Sequence, residues 1–455
     1  MPGPWKAGRG RPARSRGTAP QRCKKTYGTA CWGRLQSARQ LKVTDWKWRR
    51  RWKSKLSNPW LNCPGLPAAA AAVLAALHFR EPSTKLVELS GDDRRDALTY
   101  ADRHGLTLLL RGILPKETAD AALKNRLRLQ VAEETYRRLA GLAGDFVALK
   151  GITQCELFGI RPEDRAQYDI DLYLPRDTVE AARDRLLAEN YESIAGMEKF
   201  PTDHLPGLFP RTSWRWRGDY FDPEMPLAIE LHFQFWNERL DRLRAPGVEE
   251  FWTRRVRRTV GGATMAVLCP PDTVAYAALH LLRHVLHGSV RVFHVYELAS
   301  FLERSAGDDE FWGEWSRMHA PELRRLQAVA FALAEAWFGC ALAPAARDEI
   351  ASLPAASHAW FAEFATSPAV QAFRPNKDEL WLHLSLLEGW RDKLSVARRR
   401  LLPGNLPPPS RATETQSRQA VYAAWFAARA RHHLLSLLNT ADSYRRWRRR
   451  IRLTV

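Results

Sequence analysis

The sequence predicts an α+β fold, in which a small mixed β-sheet core is flanked by N- and C-terminal helical regions. Three observations predict it. Within residues 146–268, short runs alternate apolar and polar side chains with period two, the period of a half-buried strand. On either side, apolar residues recur at the i, i+3, i+4 spacing of amphipathic helices. A chain of 455 residues that is 45% hydrophobic can bury a large core. The expected organisation is a basic, disordered extension over 1–65, a helical region over 66–145, an α/β core over 146–268, and a helical region with a basic tail over 269–455.

The extension has no helical or strand period and holds six of the 18 tryptophans. Residues 1–60 carry 17 Lys/Arg against a single acid, Asp45, a charge of +16. Six arginines in 445–452 add +6, which leaves −2 of the +20 total for everything else. The basicity thus belongs to the two ends. This weakens a nucleic-acid-binding reading for the body and leaves one open for the tails, where Arg and Trp can grip phosphates and stack on bases. Deletion of residues 1–60 is expected to leave the fold intact. The longest apolar run, residues 66–79, is too short to span a membrane, and it lies too far into the chain for a secretory signal. Six scattered cysteines (23, 31, 63, 155, 269, 340) form no Cys-x-x-Cys pair, and reduced thiols in a cytoplasm fit them best.

In chain order, Leu86, Leu89, Leu98, Leu106, Leu109 and Leu110 mark one helical group, broken at His104-Gly105, and Leu123, Leu127, Leu129, Val131 and Leu139 mark another. Residues 146–149 form a short continuous apolar run, read as a buried strand. Residues 168–174 alternate strictly, with Ile170, Leu172 and Leu174 on one face and Asp169, Asp171 and Tyr173 on the other. Asp177 is expected to cap a helix running to residue 190, with Val179, Ala182, Leu186 and Leu187 on its apolar face. Residues 229–233 alternate like the Asp169 strand, and 256–268 read as a hairpin about Gly261-Gly262. Asp272 is placed to cap a helix with a Val274, Ala277, Ala278, Leu281, Leu282, Val285 stripe. Further helical periods run through 290–303, 320–338, 378–402 and 418–438, with a Pro-rich break at 403–409.

The chemistry gathers in the strands. Asp169 and Asp171 project from one face with Cα atoms about 7 Å apart, close enough to converge on one cation. Two carboxylates held together repel, and a divalent cation relieves the repulsion. An all-oxygen donor set favours Mg2+ or Mn2+. Glu230 on the second alternating strand offers a third carboxylate, and His232 shares its face. The alternative is a solvated strand face. Lys150-Gly151 follows the first strand and precedes a helix expected at 152–158, where a glycine and a helix N-terminus suit a phosphate. Arg165 is placed either to reach a triphosphate or to pair with Asp169. His280, His284 and His287 share one helix face, for zinc, for a nucleotide contact, or for packing on the sheet.

Taken together, Leu149-Lys150-Gly151, then Arg165 ahead of Asp169-Ile170-Asp171-Leu172, then Ile229-Glu230-Leu231-His232 resembles the uncharacterised nucleotidyltransferase family of the polymerase-β-like superfamily, over roughly residues 70–300. The resemblance implies metal-dependent transfer of a nucleotidyl group from an NTP to an acceptor hydroxyl. Asp169 and Asp171 match the paired metal ligands, Glu230 the third acid, and Gly151 the glycine of the triphosphate loop. Gly151 is followed by Ile152 and Thr153, whereas the superfamily usually has Gly-Ser or Gly-Gly in that loop. The acceptor could be a small molecule, a protein or an RNA. Two other classes stay open: a nucleotidyltransferase fold that binds without turnover, and a nucleic-acid-binding protein acting through its basic tails.

Overall fold

The computed structural model describes residues 58–142, 144–193, 202–403 and 418–454. Seven strands form one mixed sheet: β1 (Val147–Ala148), β2 (Asp169–Tyr173), β3 (Tyr191–Ser193), β4 (Leu208–Pro210), β5 (Ala228–His232), β6 (Val256–Val260) and β7 (Ala263–Val267), in the order β3-β4-β5-β2-β1-β7-β6. β2 and β5 run parallel, as do β1 and β7, while the other neighbouring pairs are antiparallel. The α+β prediction holds.

Each face of the sheet follows from the alternation. Ile170, Leu172, Ile229 and Leu231 point to one side, where they pack with Tyr136 and Leu139 of the helix Ala119–Leu142 and with Val179, Ala182 and Leu186 of the helix Val179–Ala188. Burying an aliphatic side chain of this size is worth about 1.5–3 kcal/mol, so this face is firmly specified. A one-residue slip of β2 would turn its acids into this core. On the other side, Val147, Leu149, Ala266 and Leu268 join a larger cluster built by the helices Ala68–Ala76, Pro270–His287, Val292–Ser305 and Pro321–Phe338. Among the described residues, no helix is long and apolar enough to cross a membrane.

Several local expectations are met. Gly105 ends the helix Gly91–His104 with a left-handed φ of 73°. Gly261 and Gly262, both at positive φ, turn the β6–β7 hairpin. Others are corrected. β3 and β4 escaped notice because three residues show no alternation. Thr178, not Asp177, precedes the helix Val179–Ala188, and its hydroxyl donates to the Pro175 carbonyl instead of capping. Asp272 lies inside its helix, fully buried, where its carboxylate accepts from Arg254 and His319. Leu123, Leu127 and Val131 are exposed. The helix Ala119–Leu142 instead turns inward Asn125, which donates to the Glu163 and Arg165 carbonyls, and Arg128, which donates to those of Asp222, Met225 and Gln167. These polar anchors tie loops to the helix and outrank the apolar count.

The expected extension ends earlier than residue 65. Trp60 is fully buried, its Nε1 donates to the Trp337 carbonyl at 2.7 Å, and the two indoles meet edge to face at 5.2 Å. Asn58 donates to the carbonyls of Ala75 and Glu81. Deleting residues 1–60 therefore removes core, contrary to the sequence-based expectation. Trp60→Ala should cost about 3–5 kcal/mol in urea unfolding, the usual loss for a buried Trp. A loss below about 1 kcal/mol would contradict this placement. Residues 1–57, with the basic aromatic segment, and the Pro-rich break beyond Pro403 lie outside the described residues.

Candidate active site

The parallel register of β2 and β5 sets Asp171 opposite Glu230 and Tyr173 opposite His232. Their polar side chains share the sheet face away from the aliphatic core. One donor atom from each of Asp171, Glu230 and His232 falls within 4.8 Å of the others. Asp171 and His232 are buried, whereas the Glu230 side chain retains 29% exposure and marks the open side. Asp169 lies opposite Ala228, half-buried, and is not among the donors that close to within that distance.

Asp171 is the hub. Lys150 Nζ stands 3.0 Å from its Oδ1, and His232 Nε2 approaches the same oxygen at 3.0 Å. The other His232 nitrogen is 3.5 Å from Asp203 Oδ2, and Arg283 pairs with Asp203. Burial alone would disfavour every charge here. For Asp171 it is outweighed by the ammonium of Lys150 and the hydrogen bond from His232, which hold its carboxyl well below the usual range. Burial pushes His232 down, but its hydrogen bond to Asp171 and the nearby carboxylate of Asp203 win and raise it to about 9, so the ring is cationic at neutral pH. Glu230 moves the other way: burial, then the negative charge of Asp171, raise its carboxyl. Neither Asp203 nor Arg283 could be found from the sequence: Asp203 sits in no periodic run, Arg283 is a polar position of the helix Pro270–His287, and they act on the hub only through Asp203 beside His232.

Lys150 and Gly151 leave β1 toward this hub. Gly151 adopts φ 83°, and a Cβ there would come within 2.6 Å of Gln167 Nε2. Gln167 has no freedom to yield: its Oε1 accepts from Ile152 N at 3.1 Å, and its Nε2 donates to Tyr136 Oη and to the Asp169 carbonyl. Glycine thus lets this bridge tie the turn after β1 to the start of β2. Gly151→Val should cost about 2–4 kcal/mol, from the left-handed backbone and a broken buried hydrogen bond. The loss should show in urea unfolding without any nucleotide. Unchanged stability would leave phosphate approach as the sole reason for glycine.

Arg165 is buried and does not pair with Asp169. Its Nε donates to Glu297 Oε1 at 2.9 Å, from the helix Val292–Ser305, and its guanidinium lies over Phe293 at 5.4 Å. Glu297, 132 residues away, gave no sign in an apolar helical period. The three histidines separate. His280 Nε2 lies 3.2 Å from Lys150 Nζ and 3.1 Å from His284 Nε2, while His287 turns to Asp241 at 2.7 Å. The ammonium can only donate, so His280 Nε2 is the acceptor of that bond. Burial and then Lys150 hold His280 well below the usual histidine value.

The model of the uncharacterised nucleotidyltransferase family matches residues 93–339, more than half of the chain and all seven strands. The chain belongs to that family. No curated protein and no solved structure matches it. The donor set fits a divalent cation in one respect that matters. The negative charge of ionised Asp171 raises Glu230, and a cation between the two would relieve that repulsion. As a cation itself, His232 suits an orienting role better than a ligand role.

Proposed function

We propose that this member of the family is a metal-dependent nucleotidyltransferase that moves a nucleotidyl group from an NTP to an acceptor hydroxyl, using Mg2+ or Mn2+. The observation that carries the reading is the register of β2 and β5, which sets Asp171 beside Glu230 on the polar face, at the foot of Lys150 and Gly151. Asp171 and Glu230, with Asp169 beside them, would hold the cation, which when bound offsets charge on the triphosphate and the departing pyrophosphate. Lys150 faces the same space and adds a fixed positive charge toward a phosphate. His232 keeps Asp171 oriented, as partners behind a ligand commonly do. Where no second cation binds, Glu230 would instead accept the proton of the attacking hydroxyl.

A second reading, nucleotide binding without turnover, draws on the ion pair in which Lys150 already neutralises Asp171. The two separate in one assay. The protein is incubated with NTPs labelled at the α-phosphate, with Mg2+ or Mn2+, and with lysate fractions of small molecules, protein and RNA. Turnover requires release of pyrophosphate in step with label in one fraction. Tight NTP binding without release in either metal favours the second reading, and absence of both rejects the nucleotide assignment.

A further inference from the structure

We propose that Tyr276 and His280 on the helix Pro270–His287, together with Lys150, form the seat for the polyphosphate of the incoming nucleotide, with Tyr276 Oη donating a hydrogen bond to a phosphate oxygen. The proposal rests on the nucleotidyl-transfer reading and names the residues that would carry its anion.

Tyr276 is 2% exposed and its hydroxyl has no hydrogen-bond partner. A buried hydroxyl left unpaired is costly, so native structures rarely keep one without a reason. Its position supplies the reason. Tyr276 precedes His280 by one helical turn, and their rings lie 6.4 Å apart at 30°. His280 is the residue that meets Lys150, which in turn meets Asp171. The Tyr276 ring also meets Phe235 edge to face, and Phe235 stacks on Tyr173 of β2 at 3.8 Å. Tyr276 is therefore linked on one hand to the histidine and on the other, through Phe235, to the strand that carries the acids. Burial, and then the negative charges of Asp171 and Asp203, hold its hydroxyl protonated, and among the described residues no group accepts a hydrogen bond from it. A buried donor with no acceptor of its own, next to the histidine that meets Lys150, suits an anionic oxygen that arrives with a cation.

The other candidates for this anion fall away. Arg165 is committed to Glu297, and Arg283 to Asp203. Lys150 has three donors, of which Asp171 and His280 occupy two. Among the described residues, His280 has no ion pair with a carboxylate and shares the Lys150 ammonium with Asp171.

The test is calorimetric titration of inorganic triphosphate into full-length protein in magnesium buffer, for wild type, Tyr276→Phe and His280→Gln, with melting measured in parallel. ATP, GTP, CTP and UTP are titrated into the wild type. We expect wild type to bind triphosphate, and Tyr276→Phe to bind it about tenfold or more weakly, the usual loss for a charge-assisted hydrogen bond. Its melting temperature should be unchanged or higher, because Phe removes an unpaired buried hydroxyl at constant shape. His280→Gln should also weaken binding, by freeing Lys150 to turn fully onto Asp171. Wild-type triphosphate affinity in both variants overturns the seat, and does so without touching the enzyme reading if wild type binds an NTP. Wild-type affinity with a lower melting temperature in Tyr276→Phe assigns the tyrosine to packing alone and likewise overturns it. If wild type binds neither triphosphate nor any NTP, the underlying reading falls together with the seat.

Discussion

Asp171→Asn should abolish nucleotidyl transfer and divalent-ion binding, and it should also destabilise the protein by about 3 kcal/mol or more. The second half departs from what the sequence suggests. Read as one of two neighbouring carboxylates on a strand, Asp171 looks like a source of repulsion whose loss would be neutral or favourable. The structure shows one oxygen of Asp171 shared by the partly buried Lys150 and the fully buried His232. Neutralising it leaves two cations without their common partner. Asp169→Asn, half-buried and outside that hub, should cost within about 1 kcal/mol. Equal stability losses in the two variants would refute the hub.

The same pairs predict how wild-type stability follows pH. His232 is raised from 6.5 to about 9, so its contribution is full below pH 6.5 and is lost as pH rises through 9. Asp171 is depressed below its ordinary 3.8, so its contribution is present above that pH and is lost as pH falls below it. Stability from this network should therefore be level between about pH 4 and 6.5 and decline toward pH 9. In Asp171→Asn the alkaline decline should shrink, because only Asp203 remains to hold the proton on His232. Urea unfolding at pH 5, 7 and 9 measures both, and a flat wild-type profile across that range would argue against a charged His232.

Arg165→Ala should destabilise the apo protein by about 3–5 kcal/mol, the cost of leaving one member of a buried ion pair alone. Glu297 is buried, and despite that burial the guanidinium of Arg165 holds its carboxyl down to about 2. In wild type the pair's contribution is present above pH 4.5 and lost as pH falls toward 2. Without Arg165, Glu297 keeps only the weaker contact with His294, 3.9 Å away, and taking up a proton relieves its buried charge. The deficit of the variant should therefore shrink as pH falls toward 4.5. Arg165→Met combined with Glu297→Leu should recover most of the loss, since replacing both ions with apolar groups of similar volume is often neutral. If instead Arg165 served a triphosphate, apo stability would not change and the paired substitution would rescue nothing. Calorimetric melting of the single and double variants, without nucleotide, decides between them.

The strands that carry the acids could be read directly. Strict alternation in β2 and β5 fixes which residues face the core, because the side-chain period of a strand is two, and that alone places Asp169, Asp171, Glu230 and His232 on polar faces. The same logic gave the hairpin at Gly261-Gly262 and the helical regions on either side. It failed where burial is polar: the Ala119–Leu142 helix turns Asn125 and Arg128 inward and leaves Leu123, Leu127 and Val131 in solvent, and no hydrophobic period can announce that. Which acid becomes the hub was also beyond the sequence. Asp169 and Asp171 are equivalent by alternation. They differ because β5 sets Glu230 opposite Asp171 and Ala228 opposite Asp169. Lys150 then reaches Asp171, and Glu297 takes Arg165 from 132 positions away. Pairing register and long-range ion pairs are properties of the assembled sheet and the helices packed on it. Periodicity reports the face a side chain occupies, and only the tertiary structure decides the neighbour it meets there.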